Sequence, residues 1–176
     1  MIFTETSLAG AFIVDPEPIA DARGFFARTF CSQAFAAKGL HGTFVQCNVS
    51  FNHRRGTLRG LHFQAPPFAE AKLVRCTMGS IHDVIVDLRE GSPTRGGWIA
   101  CELSASNRRA LYVPEGFAHG FQTLSDDAEV FYQMSVPFEA AAARGIHAAD
   151  ATLAIEWPLP VSVISASDQA LPGFVR

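Results

Sequence analysis

Apolar and polar residues alternate along most of this chain in short runs. The runs are rich in Val, Ile, Phe, Thr and Tyr and are separated by Gly, Pro, Asn or Ser, which is the pattern of an all-β sandwich or barrel. It predicts strands at 11–15, 25–30, 43–51, 57–64, 72–77, 81–88, 97–104, 109–113, 119–124 and 129–136. One helix is predicted at 32–38, with Ser32 capping its start, Phe35 as its apolar contact and Gly39 as a left-handed stop. A second short helix is predicted at 139–143. Residues 92–97 read as a turn, and the prolines of Trp157-Pro158-Leu159-Pro160 call for extended chain. Beyond Pro158, the apolar Val161, Val163 and Ile164 predict a tail packed on the barrel.

With 176 residues, 48% of them hydrophobic, the chain is long enough to bury one core, and a single domain over 1–176 is expected. The net charge of -3, and the absence of any basic run longer than Arg54-Arg55 or Arg108-Arg109, argue against a general nucleic-acid surface. No apolar run is long enough to span a membrane, and the start has no basic segment leading into a long apolar one, so a soluble, cytoplasmic protein is expected. Cys31, Cys47, Cys76 and Cys101 form no Cys-x-x-Cys pair and sit in or beside apolar segments, as expected of reduced core thiols.

The richest chemistry lies in Leu58-Arg59-Gly60-Leu61-His62-Phe63-Gln64, which sets an imidazole among apolar neighbours with a cation three positions earlier. On a regular strand Arg59 and His62 face opposite ways, because their separation is odd. Both reach one cavity only if the strand bulges, and Gly60 is the natural place for that. The alternative is a barrel histidine with Arg59 on the surface. His119 follows the turn Pro114-Glu115-Gly116 and opens an aromatic strand. Lys72 begins an alternating strand; a lysine facing the core would need an anion, whereas a surface lysine needs nothing. In 129–136, alternation puts Val130, Tyr132 and Met134 on one face, which suits an inward hydroxyl or a tyrosine buried for packing. Asp168 is an acidic candidate near the barrel mouth or an ordinary turn residue. Asp83 and Asp87 share a face with Ile85 and read as structural hydrogen-bonders or solvent-facing groups.

The spacing of Gly56, His62, Gln64, Glu70 and later Pro114, Gly116, His119 resembles the two cupin motifs that hold a divalent ion. Here Gln64 stands where a second histidine would be. A neutral amide oxygen is a weak ligand beside imidazole, so no metal is expected.

The ordered set Asp21-x-Arg23-Gly24-x-Phe26, Gln46-x-Asn48-x-Ser50, Leu58-Arg59-Gly60-Leu61-His62, Ala71-Lys72-Leu73-Val74-Arg75, Asp87-Leu88-Arg89, Ser92-Pro93-Thr94 and Gly116-Phe117-Ala118-His119-Gly120-Phe121 resembles the dTDP-4-dehydrorhamnose 3,5-epimerases from about Leu8 to Pro172. The resemblance implies an all-β cupin jelly-roll barrel with a few short helices and no cofactor or catalytic metal. It also implies a homodimer whose N-terminal strands cross to the partner, and a nucleotide-diphosphate 4-keto sugar as substrate. By resemblance, His62 removes the proton α to the C4 ketone with Asp168 supporting the imidazole, Lys72 stabilises the enolate oxygen, and Tyr132 returns a proton from the opposite face. Arg23, Arg59, Gln46 and Asn48 would hold the diphosphate and His119 would line the sugar end. Phe138 would stack on the base, and Phe26 and Arg28 lie in the same nucleotide-binding segment.

The chain departs from the family pattern at the nucleoside end. Arg28 and Cys47 stand where the family usually has glutamate and aspartate, and Ala143 and Ser167 replace a glutamate and a lysine. A carboxylate accepts the imide proton of thymine, whereas Arg28 only donates. A CDP- or GDP-linked 4-keto sugar therefore stands beside the dTDP-linked one. The rival functions are a metal-dependent cupin isomerase or oxygenase, and a nucleotide-sugar binding module without turnover.

Overall fold

A computed structural model describes residues 1–175. Two antiparallel sheets face each other as a barrel, the all-β class expected from the alternation and the jelly roll implied by the resemblance. The first strands are β1 (Ile2–Glu5), β2 (Phe12–Asp15), β3 (Ile19–Asp21) and β4 (Gly24–Phe26), followed by helix α1 (Ser32–Ala36). Then come β5 (Gln46–Asn52), β6 (Leu58–Gln64), β7 (Lys72–Met78), β8 (Ser80–Asp87), β9 (Trp98–Ser104) and β10 (Ala110–Val113). The last elements are β11 (Phe117–Thr123), β12 (Ala128–Met134), β13 (Ala143–Gly145) and helix α2 (Ala166–Gln169). One sheet runs β1-β2-β10-β7-β12-β5 and the other β13-β6-β11-β8-β9, while β3 and β4 form a separate hairpin.

Strand alternation builds three apolar layers. Val74, Cys76, Leu111 and Val130 of the six-stranded sheet meet Ile81, Ile85, Leu103, Phe117 and Phe121 of the five-stranded one. The opposite residues of the first sheet, Leu73, Ala110 and Tyr112, pack outward on Phe35 of α1 with Phe30 and Phe44. On the far side Leu61, Val84, Val86 and Ala118 are covered by Ile146, Leu153, Ile155 and Trp157. The tail packs as expected: Leu58 N–H donates to Val163 O at 2.8 Å and Ser162 N–H to Gly56 O at 2.9 Å. No helix among the described residues is long and apolar enough to cross a membrane.

Several expectations are corrected. The strand at 25–30 is instead the second arm of a hairpin that ends at Phe26, turned by Asp21, whose Oδ1 accepts from Arg23 N–H at 2.8 Å, and by Gly24 at φ +132°. Strand β5 starts at Gln46 and not 43, because Phe44 is drawn into the outer aromatic layer. Helix α1 ends at Ala36, and its cap position is Cys31, with no side-chain bond from Ser32; Gly39 does take the left-handed conformation, at φ +71°. The helix at 139–143 is a single turn, from Ala142 and Ala143 N–H to Glu139 O, because the chain then joins β6 as β13. All four cysteines are free, but Cys47 is exposed, since β5 is an edge strand and this position faces out.

Candidate active site

The required bulge is present on β6. Its partner β11 pairs His119 with His62 but Phe121 with Arg59, so three steps on β6 match two on β11. Gly60 takes φ +112°, and a Cβ there would lie 2.7 Å from Gly120 Cα. Two glycines thus let the strands touch while the chain reverses its facing. Arg59 and His62 now line one cavity of about 280 Å³ with Asn48 and Ser50 of β5, Lys72 of β7, His119 and Phe121 of β11, and Tyr132 and Met134 of β12. Arg59 lines the cavity but stays exposed to solvent, as its surface alternative had it, whereas the surface alternative for Lys72 is overturned by burial, since Lys72 is 6% exposed.

His62 Nε2 lies 2.8 Å from Asp168 Oδ1, and Gly60 N–H donates to Asp168 Oδ2 at 3.1 Å. Asp168 sits in α2 and not in a loop; Ser165 caps that turn, its Oγ accepting from Asp168 N–H at 3.0 Å. With Nε2–H donated to the carboxylate, the basic lone pair is on Nδ1. The imidazole is half exposed, whereas the carboxylate is almost covered. This is an oriented base at the edge of a cavity.

Lys72 Nζ lies 3.0 Å from Glu70 Oε1 and donates to His62 O at 3.2 Å. Tyr132 reaches the cavity from the opposite sheet and meets the His119 ring edge-on at 5.9 Å. Burial pushes the Tyr132 phenol well above its ordinary range, and the nearby negative charge of Asp83 adds to this, so the hydroxyl stays protonated. His119 Nε2 is held by Asp83 Oδ1 at 2.8 Å. Asp83 and Asp87 are wholly buried, which removes their solvent-facing alternative.

The residues that the resemblance assigns to the diphosphate are brought together only in part. Arg59 Nε donates to Asn52 Oδ1 at 2.7 Å, and Asn52 is itself tied to Ala128 O at 3.1 Å. Gln46 Nε2 donates to Asn48 Oδ1 at 3.2 Å, while Gln46 Oε1 accepts from Phe138 N–H at 3.0 Å, placing the exposed Phe138 beside that pair. Arg23, Phe26 and Arg28 do not line this cavity. Arg23 projects into solvent, paired with Asp21, and Phe26 and Arg28 line a separate hollow near α1. Sequence reasoning gave no role to Asn52 or to Glu70 as the lysine's partner; the two-residue spacing of Glu70 and Lys72, which puts both on one face of extended chain, was the available signal.

The cupin-like spacing serves other ends. Gln64 Nε2 donates to Phe68 O and Pro137 O, its Oε1 accepts from Glu139 N–H, and Glu70 is engaged by Lys72 and by Gln64 N–H. No group of three His, Cys, Asp or Glu among the described residues could hold a metal ion.

Residues 5–175 match the family profile described as dTDP-4-dehydrorhamnose 3,5-epimerase. An enzyme of that name from Sinorhizobium fredii is 42% identical over 174 residues, 98% of this chain and 89% of the relative. The crystal structure of the enzyme of that name from Elizabethkingia anophelis superposes with a TM-score of 0.95 at 40% identity, covering 99% of this chain and 96% of that one. The Bacillus anthracis structure, solved with TDP and PPi bound, has a TM-score of 0.95 at 41% identity, covering 98% and 99%. This chain belongs to the dTDP-4-dehydrorhamnose 3,5-epimerase family of nucleotide-sugar isomerases.

Proposed function

We propose that the enzyme inverts C3 and C5 of a dTDP-linked 4-keto-6-deoxyhexose, both carbons being acidified by the C4 ketone between them. The observation that carries this reading is the placing of His62 and Tyr132 on opposed sheets around one cavity, with Lys72 beside the base. His62 Nδ1 takes the proton, the C–H electron pair enters the enolate, and Lys72 stabilises the charge on its oxygen. Tyr132 then delivers a proton from the other side, so the carbon re-forms inverted. One base serves both carbons if the sugar shifts between the two steps. Contact of Asp168 with His62, and Tyr132 lining the same cavity, favour turnover over a binding module.

Arg59, Asn48 and Gln46 bind the diphosphate in this reading, Phe138 stacks on the base and His119 lines the sugar end. Arg23, Phe26 and Arg28 join the site from a second copy of the chain. Three features support a homodimer with exchanged N-terminal hairpins. The hairpin exposes Ile19 and Phe26, each at 73%. Strand β5 ends its sheet with one side unpaired among the described residues. The outward side of that strand exposes Val49 and Phe51. The proposal includes a cytoplasmic location, in keeping with four unpaired thiols.

The test is solvent deuterium incorporation into dTDP-4-keto-6-deoxyglucose followed by NMR. Label at C3 and C5 is expected, and none with His62→Ala; label at C3 alone would replace the double inversion by a single one, and no label would sink the reading. A second reading concerns the base, because Arg28, Cys47, Ala143 and Ser167 supply no carboxylate at those positions. Competition among dTDP, UDP, CDP and GDP decides it, and dTDP binding tighter by about tenfold, or about 1.4 kcal/mol, would retire CDP and GDP.

A further inference from the structure

Lys72, which lines the cavity, forms with Glu70 behind it an ion pair that is almost fully buried, with Glu70 5% and Lys72 6% exposed. Glu70 is held from behind: Gln64 N–H donates to its Oε2 at 3.1 Å, which leaves Oε1 for the ammonium at 3.0 Å. The strand start between them is fixed by Ala71, whose N–H donates to Ser135 Oγ and whose O accepts from Ser135 N–H. Lys72 has three N–H donors. One donates to His62 O, Glu70 Oε1 stands 3.0 Å away as the counter-charge, and the ammonium keeps donors for a ligand oxygen in the cavity that Lys72 lines.

The charges around Lys72 show what Glu70 does. From β6 come Arg59 and the His62–Asp168 pair; from β12 comes the neutral Tyr132; from β11 and β8 comes the His119–Asp83 pair. Asp168 and Asp83 are each committed to a histidine, and Arg59 is a second cation lining the same small cavity, bound to a neutral amide. Glu70 is therefore the carboxylate that neutralises Lys72. A buried ammonium beside another cation would otherwise shed its proton readily.

We propose that Glu70 is a positioning residue that keeps Lys72 protonated and aimed at the ligand oxygen, and so sets the alkaline limit of turnover. This rests on the epimerase reading for the role of Lys72. The pairing itself is testable without substrate, because the chain contains two lysines, Lys38 and Lys72. Lys38 is exposed and serves as an internal reference. In protein labelled with carbon-13 lysine, the Lys72 ε-methylene signal is followed against pH for the natural protein and for Glu70→Gln, which is isosteric and keeps the hydrogen bond to Gln64.

The expected result is that the Lys72 midpoint falls by about one pH unit or more in Glu70→Gln while Lys38 stays in place. The alkaline limb of kcat should move down by the same interval. Glu70→Asp, which keeps the charge on a shorter arm, should recover at least about half of it. A Lys72 midpoint that moves no more than that of Lys38 overturns the pairing. A shifted midpoint with an unmoved kcat limb overturns the role in turnover. The NMR arm needs no substrate, so its failure is distinct from failure of the deuterium experiment.

Discussion

Each ionisable side chain in the cavity has a partner that decides what it can do. Tyr132 is the sharpest case, because burial and the charge of Asp83 favour the phenol over the phenolate. If it is the acid on the far face, Tyr132→Phe should lower the rate of inverted product by about 10²-fold or more, while His62 still exchanges label on its own face. Deuterium in uninverted substrate is the expected signature, and unimpaired inversion would remove Tyr132 from the mechanism. Asp87 shows the same logic in a structural role. Burial opposes its charge, but Arg89 at 2.9 and 2.8 Å, Ser92 at 2.6 Å and Thr94 at 2.7 Å outweigh that and hold the carboxyl well below its ordinary range. As pH falls, the unfolded chain takes up this proton first, so the contribution of Asp87 to stability is full above the ordinary carboxylate range and is lost below it. Asp87→Ala should cost about 3 kcal/mol near neutrality, and the deficit in urea melts should shrink as the pH is lowered from about 5 to 3.

Among elements, β6 carries the most consequence, because its bulge decides whether the arginine and the imidazole meet. Gly60→Ala would set a methyl against Gly120 Cα at 2.7 Å and His119 O at 2.9 Å and would strain a φ of +112°. The expected loss is about 1–3 kcal/mol of stability, with kcat/KM falling further than stability explains; calorimetry and kinetics on the same sample check both. The bulge was legible in the sequence as a condition, since Arg59 and His62, at an odd separation, reach one cavity only if the strand bulges near Gly60. The long strands were legible too, because six or more alternating residues carry a period. Strands β3, β4 and β13 have three residues each and carry none, so β3 was missed, β4 was read as the start of a run reaching residue 30, and β13 was missed behind the short helix predicted at 139–143. No local pattern joined Asp168 to His62 across 106 residues; that pairing came from family resemblance and was then found in the geometry.

At the scale of the whole molecule, the cavity has its base, lysine and tyrosine in one chain, while Arg23, Phe26 and Arg28 sit on a hairpin turned outward. If hairpins are exchanged, mixing His62→Ala with Arg23→Ala subunits under conditions where each alone is inactive should restore about a quarter of natural activity, since half of the dimers are mixed and one of their two sites is whole. No recovery after subunit exchange, verified by mass, would place the hairpin in its own chain's site. The late position of Asp168 has a different consequence. The strands of both sheets and His62 precede α2 in the chain, and α2 returns to β6 through contacts such as Leu58 with Val163, Gly60 with Asp168 and His62 with Asp168. A growing chain on the ribosome thus holds its imidazole without that carboxylate, and if Asp168 orients the base as proposed, a chain ending before Ser165 should keep its barrel and lose most of its activity, which circular dichroism and kinetics on the truncated protein would check. On that reading the last segment to be made is the one that completes the His62–Asp168 pair.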